Sequence, residues 1–300
     1  MTVSMFDLKS YLSSKQAAVN HWIETILAHE PHPKQIMAAM RYSLSAGGKR
    51  VRPILCIAAT EALGSDQAEV LHVACAIEMI HTYSLIHDDL PAMDDDVMRR
   101  GNPTVHIQFD EATAILTGDA LLTLAFQILS DSRYINSENL GKSMHLIHVI
   151  AKAAGYRGMI EGQMLDMLSE GNRLKIDQIK ALHKKKTGTL IEASVSAGAL
   201  FGGASTKEMD FLNRYAANIG LAFQVMDDIL NVRGDPLTMG KAVGTDASRN
   251  KNTYPSIIGL PESEKYAAEL VKKSLHAIET FGRKADPLRA ISRYIIERNS

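Results

Sequence analysis

Five aspartates, Asp88, Asp89, Asp94, Asp95 and Asp96, fall within nine residues directly after the apolar segment Ala74–Ile86. A segment that rich in Ala, Ile, Met and Leu reads as a core helix, so its last turn carries carboxylates to the rim of a hydrophobic interior. That is a poor electrostatic position. A helix C-terminus carries partial negative charge, and adjacent carboxylates repel. Something positive must compensate, either Arg99 and Arg100 nearby or divalent cations, which clustered carboxylate oxygens bind well. An acidic run alone is more often a solvated loop. Here a second pair, Asp227-Asp228, ends a second apolar segment that starts at Ile219. Two such pairs point to carboxylate walls at one pocket mouth. Asp227 and Asn231 are four apart and share a helix face, whereas Asp88 and Asp94 are six apart and do not. Pro91 cannot continue a helical ladder, which predicts a helix ending near Asp89 and a short loop returning Asp94 toward the same point.

The helical pattern persists along nearly the whole chain, and β-branched alternation is scarce. It predicts helices over 5–29, 33–46, 51–63, 67–89, 105–130, 138–154, 157–169, 176–202, 206–231, 263–281 and 286–298. Asp66 reads as an N-cap with Glu69 as its capping-box partner, and Thr206 opens a helix with Glu208 and Asp210 in its first turns. From Arg233 to about Pro261 the chain reads as one long polar loop, a length that is usually functional in a compact domain. With 300 residues, 46% of them hydrophobic, and no repeat or linker, the expectation is one all-α domain over 1–300. A net charge of -1 gives no basic field for nucleic acid. The two cysteines, Cys56 and Cys75, sit in apolar stretches, which suits a reducing, cytoplasmic setting. Neither a signal peptide nor a membrane span is expected.

Gly47-Gly48-Lys49-Arg50-Val51-Arg52 places three cations in four residues after a glycine pair. Glycines let the backbone approach an anion, and arginine binds phosphate bidentately. The spacing is not that of a P-loop, and taken alone the run could be a basic helix start. Arg99-Arg100, Lys184-Lys185-Lys186, Lys241 and Lys251 are further cations. Together they suggest a site for two diphosphates, one of them bridged by Mg²⁺.

With these motifs in order, the chain resembles the trans-prenyl diphosphate synthases, most nearly the bacterial farnesyl diphosphate synthases, from about Ile36 to Asn299. The resemblance rests on Gly-Gly-Lys49-Arg-x-Arg52-Pro, Glu78-Met-Ile-His81, the Asp88–Asp94 motif, Arg99-Arg100-Gly101 and Gly162-Gln163-x-x-Asp166. It continues through Lys186-Thr187-Gly188, Phe223-Gln224-x-x-Asp227-Asp228 and Gly240-Lys241-x-x-Gly244-x-Asp246. It implies a bundle of antiparallel helices around a deep central cavity. Asp88, Asp94 and Asp227 would coordinate Mg²⁺, three ions with substrate bound, supported by Asp89 and Asp228. Arg99, Lys186 and Lys241 would hold an allylic diphosphate. Lys49, Arg52, His81 and Arg100 would hold isopentenyl diphosphate. Thr187 and Gln224 would lie near the developing allylic cation. The resemblance also implies a homodimer, and a reaction of ionisation, condensation and proton loss.

One departure is Asn231, where the family's second acidic motif usually has a third aspartate; activity is expected to survive, because Asp227 is the direct ligand. Tyr83, five residues before Asp88, would floor the cavity and stop growth at farnesyl diphosphate, the two-residue Pro91-Ala92 insertion being part of that arrangement. Geranyl or geranylgeranyl diphosphate as product, or a non-catalytic subunit of a heteromeric synthase, remain the alternatives. A di-iron bundle is disfavoured, since Glu69-x-x-His72 and Glu78-x-x-His81 share one helix. A serine acyl-enzyme is disfavoured because Lys186-Thr187-Gly188 lies on no strand. A terpene cyclase would not need Lys49 and Arg52.

Overall fold

The computed structural model describes residues 6–29, 34–135, 138–233 and 251–298, with the side chains of His29 and Glu69 excepted. Lys241, with Gly240, Gly244 and Asp246 of the same expected motif, lies outside these residues. The chain begins with α1 (Leu8–His29), α2 (Lys34–Ser45), α3 (Val51–Ala62) and α4 (Gln67–Asp88). Asp66 caps α4, its carboxylate accepting from the Ala68 N–H at 2.8 Å; its expected partner Glu69 falls on an undescribed side chain. A hairpin of β1 (Met98–Arg99) and β2 (Asn102–Pro103) follows, which the helical pattern did not predict. Its two-residue loop, Arg100-Gly101, has φ of 54° and 78°, the positive values that a tight hairpin turn requires.

The helix expected over 105–130 is two helices, α5 (Val105–Gln108) and α6 (Glu111–Leu129). Asp110 divides them: extended itself, it accepts from the Thr113 N–H at 2.7 Å and from the Thr113 hydroxyl at 2.8 Å. Then come α7 (Leu140–Ala154), α8 (Met159–Leu168) and α9 (Ile176–His183). The helix expected over 176–202 is interrupted by a π-helical turn, Lys184–Gly188, before α10 (Thr189–Phe201). Here α8 crosses so closely that a Cβ on Gly162 would lie 2.1 Å from the Lys186 nitrogen, so only glycine fits. The remaining helices are α11 (Thr206–Arg233), α12 (Tyr254–Ile258), α13 (Leu260–Ala277) and α14 (Asp286–Glu297). The loop expected to run to Pro261 therefore already contains α12, started by a Thr253/Ser256 capping box, and the first turn of α13.

Two apolar cores flank α3 and α10, which contribute to both. The first gathers α1, α2, α4, α6 and α7, with Val73, Ile77, Ile80 and Leu121 at 0% exposure. The second gathers α11, α13 and α14, with Tyr215 and Leu288 at 0% and the Tyr215 hydroxyl donating to the Leu288 carbonyl at 2.8 Å. Each buried Leu or Ile contributes about 1.5–3 kcal/mol. Two helical segments, Val70–Asp88 and Glu111–Leu129, have the length and apolarity of a membrane span; 72% of the first and 50% of the second is buried inside the bundle. Cys56 and Cys75 are free and buried.

His72 is packed into the first core, stacked on Tyr134 at 4.5 Å with Phe201 edge-on at 5.4 Å. Burial lowers its pKa from 6.5 to about 4, against the weaker pull of Asp131. The unfolded chain therefore binds more protons between those values, so stability is full above pH 6.5 and is lost as the pH falls through the window. His72→Phe is expected to flatten that acid-side decline by about one proton's slope, read from urea unfolding at stepped pH. An unchanged slope would refute the assignment.

Candidate active site

The end of α4 forms as its sequence dictates. Asp89 is the C-cap, and the chain folds back at Pro91 so that the Asp94 N–H donates to the Asp88 carbonyl at 2.8 Å. The Asp95 N–H donates to the Leu90 carbonyl at 3.1 Å, with Asp95 at φ 50°. Asp88 and Asp94 are thereby brought together by the backbone. Burial lifts Asp88 to about 6, with Lys186 pulling it down and Asp94 pushing it up. Asp89 is gripped by Arg99, whose Nε donates to both carboxylate oxygens at 2.8 Å and whose Nη2 donates at 2.5 Å. Arg99 also pairs with Asp96 at 3.4 Å.

Two lysines pair with Asp94 and with Asp166. Lys186, on the π-helical turn, donates to Asp166 of α8 at 2.5 Å; Lys251 lies 3.0 Å from Asp94 and 3.8 Å from Asp166. Burial acts to raise Asp166, but the two lysines outweigh it and hold the carboxyl below its ordinary value. The next residue on the turn, Thr187, donates to Gln224 Oε1 at 2.8 Å; Gln224 Nε2 in turn donates to Asp228 at 3.0 Å. Asp228, 3% exposed, also accepts from the Tyr254 N–H at 2.9 Å. A continuous chain of polar contacts thus joins the turn to the second acidic pair on α11. Asn231 is buried at 4%, where a neutral amide avoids placing a third negative charge in the interior.

A second group of cations collects at the start of α3. Arg52 Nη1 donates to His81 Nε2 at 3.1 Å. Burial, then Arg52, hold His81 well below its ordinary pKa, so the ring is neutral and its Nε2 accepts. Arg52 Nε is buried without a partner. Arg100 donates to the Gly47 carbonyl at 2.5 Å and lies across Gly48. Lys49 lines a small apolar pocket with Phe223, Ile295 and Arg298, and burial, then Arg298, lower its pKa. Arg298 also binds Asp227 directly, donates to the Phe223 carbonyl at 3.1 Å and stacks on the Phe223 ring at 4.2 Å.

Tyr83 is 6% exposed on the α6 side of α4. It meets the His87 ring edge-on at 5.8 Å, and that ring reaches the Ile115 carbonyl of α6 at 3.1 Å.

Sequence reasoning missed Arg298, which has no local signal, and gave Asp166 no role although it stood in view as a motif member; Lys251 it counted only among the general cations for diphosphate. Gln163 is another: both its amide atoms are buried without partners. Among the described residues no three acidic, histidine or cysteine side chains converge tightly enough to hold an ion by themselves. Lysine and arginine instead bridge the carboxylates, and the donors available to a metal there are oxygens, the set that suits Mg²⁺.

The polyprenyl synthetase family profile matches residues 33–286. The chain belongs to the polyprenyl synthetase family. It is 44% identical to the farnesyl diphosphate synthase of Geobacillus stearothermophilus over 98% of each chain. It is also 44% identical to the geranylgeranyl diphosphate synthase of Cyanophora paradoxa, again over 98% of each. The fold is similar to that of an FPP/GFPP synthase from Zymomonas mobilis, with a TM-score of 0.84 and 37% identity over 96% of this chain and 98% of that one. This polyprenyl synthetase is thus a prenyltransferase of isoprenoid synthesis. Equal identity to farnesyl and geranylgeranyl synthases leaves product length to the residues of the site.

Proposed function

We propose that this prenyltransferase condenses isopentenyl diphosphate with dimethylallyl and geranyl diphosphates to give farnesyl diphosphate, in a Mg²⁺-dependent reaction. The observation that supports it best is the run of contacts between the two acidic regions, from Asp94 through Lys251 and Asp166 to Lys186, and from the adjoining Thr187 through Gln224 to Asp228. Asp88, Asp94 and Asp227 would hold Mg²⁺, up to three ions with substrate, while Asp89 and Asp228 are occupied by Arg99 and by Gln224 with the Tyr254 amide, as supporting carboxylates. Bound Mg²⁺ supplies charge stabilisation to the departing diphosphate. Lys186, Lys241 and Arg99 hold the allylic diphosphate, and Lys251 adds a further cation between Asp94 and Asp166. Lys49, Arg52, His81 and Arg100 hold isopentenyl diphosphate. The unpartnered Arg52 Nε supports that role, since a buried guanidinium nitrogen left unbonded is costly until an anion arrives.

The allylic carbon–oxygen bond breaks, its electron pair leaving with diphosphate. The isopentenyl double bond attacks the resulting cation, which Thr187 and Gln224 face, and a proton then passes to the released diphosphate. The protein contributes position and fixed charge, with no nucleophile of its own. We place the enzyme in the cytoplasm as a homodimer. Ile115 and Leu116 are exposed side by side on α6, an apolar surface suited to a second copy.

With isopentenyl and geranyl diphosphates and Mg²⁺, the purified protein is expected to release inorganic diphosphate, to stop with EDTA and to resume with excess Mg²⁺. Equal release from geranyl diphosphate alone would instead indicate a cyclase or hydrolase. No release from a folded sample would indicate a non-catalytic subunit.

A further inference from the structure

We propose that Arg50 and Glu78 form a buried positioning pair that aims Lys49 and Arg52 at the isopentenyl diphosphate, neither partner touching the substrate. The inference rests on the reading of that cation group given above. Arg50 sits between Lys49 and Arg52, in a run of three cations within four residues where a phosphate-facing side chain would be expected. Its side chain goes elsewhere. It is 4% exposed, and Nε, Nη1 and Nη2 each donate to the protein: Nε to Asn20 Oδ1 at 3.0 Å, Nη1 to Glu78 Oε1 at 2.8 Å and Nη2 to the Leu44 carbonyl. Glu78 is 1% exposed. A charged pair so enclosed is a weak source of net stability, and its best-attested use is to fix one arrangement over others.

The arrangement fixed here is the entry to α3. Arg50 has φ 49° and ψ 38°, a left-handed conformation that a side chain bearing a Cβ adopts only when its surroundings hold it there. Gly47 and Gly48 before it also have positive φ, and their carbonyls accept from Arg100 and from Gln16 Nε2, the latter at 2.7 Å. The chain thus turns sharply, and its two flanking cations are presented while Arg50 is drawn into the interior. Glu78 and His81 are one turn apart on α4, and they hold Arg50 and Arg52 respectively. One face of α4 therefore sets both the backbone turn and the guanidinium that follows it.

The test uses Arg50→Lys, Glu78→Gln and the double variant of the full chain. Isopentenyl diphosphate affinity is measured by calorimetry without an allylic substrate, beside KM for each substrate, kcat and the melting temperature. Each single change is expected to weaken isopentenyl diphosphate binding about tenfold, the scale of one charge-assisted hydrogen bond. The geranyl diphosphate KM should stay within about twofold, and the double variant should be no worse than the worse single, because both act through one contact. Weakening by Arg50→Lys without weakening by Glu78→Gln would make Arg50 a direct ligand and overturn the proposal. So would lowered melting temperatures with isopentenyl diphosphate affinity unchanged. If Arg50→Lys does not fold, Glu78→Gln, which keeps an acceptor oxygen, decides between the same two results. A wild-type protein without turnover would overturn the prenyl-transfer reading itself, an outcome distinct from these.

Discussion

Replacing Tyr83 with alanine is expected to move the product from farnesyl to geranylgeranyl diphosphate and longer chains. Tyr83 is 6% exposed on the last turns of α4, beneath the carboxylates, with its ring edge on His87 and His87 closed against α6. On the proposed reading, a prenyl chain growing down from the acidic rim would meet that ring. Truncation removes the obstacle, and an elongating tail gains about 0.8 kcal/mol for each methylene it buries in the space opened. Further addition should therefore outcompete release. Stability should fall, since truncating a packed aromatic costs about 3–5 kcal/mol where no tail fills the gap. Tyr83→Phe keeps the ring and should keep the product. Mass spectrometry of the diphosphates reads both variants. An unchanged product from Tyr83→Ala would remove Tyr83 as the floor and leave the family assignment intact.

The second large effect is expected at Asp88. Asp88→Asn should lower kcat by about 10²–10³ at saturating substrate and Mg²⁺, the scale seen when one preorganised electrostatic contact to a transition state is lost. Its fold should not suffer. Burial lifts the Asp88 carboxyl to about 6, so the ionised form is disfavoured in the metal-free protein, and a neutral amide relieves that cost. A metal-free melting temperature equal to or above wild type, with activity nearly gone, is the expected combination. Near-normal activity would show that Asp88 does not hold the metal.

The acidic rim was legible because its physics is local. Pro91 ends the ladder, and adjacent carboxylates need a shared compensating charge, so the return of Asp94 to Asp88 could be drawn from sequence. The Asp66 cap was legible for the same reason. The π-helical turn at Lys184–Gly188 was not, because its cause lies in another element: the close crossing of Gly162 and the pull of Asp166 on Lys186. The split at Asp110 carried a local capping signal that the apolar periodicity around it outweighed, and the capping box at Thr253 was lost in a polar run rich in Asn and Pro. Arg298 on Asp227 pairs the chain's last described residue with a helix 71 positions earlier, and no spacing announces it. The same holds for Arg50, whose place in a basic run pointed outward while Glu78 and the Leu44 carbonyl drew it in.

The most direct test is the chain length made by the wild-type protein from isopentenyl and dimethylallyl diphosphates with Mg²⁺, read by mass spectrometry. Farnesyl diphosphate as the end product, absent when EDTA is added, is the predicted result. Geranylgeranyl diphosphate as the end product would contradict the account of the site floor, and formation of any prenyl product without divalent metal would contradict the account of the carboxylates.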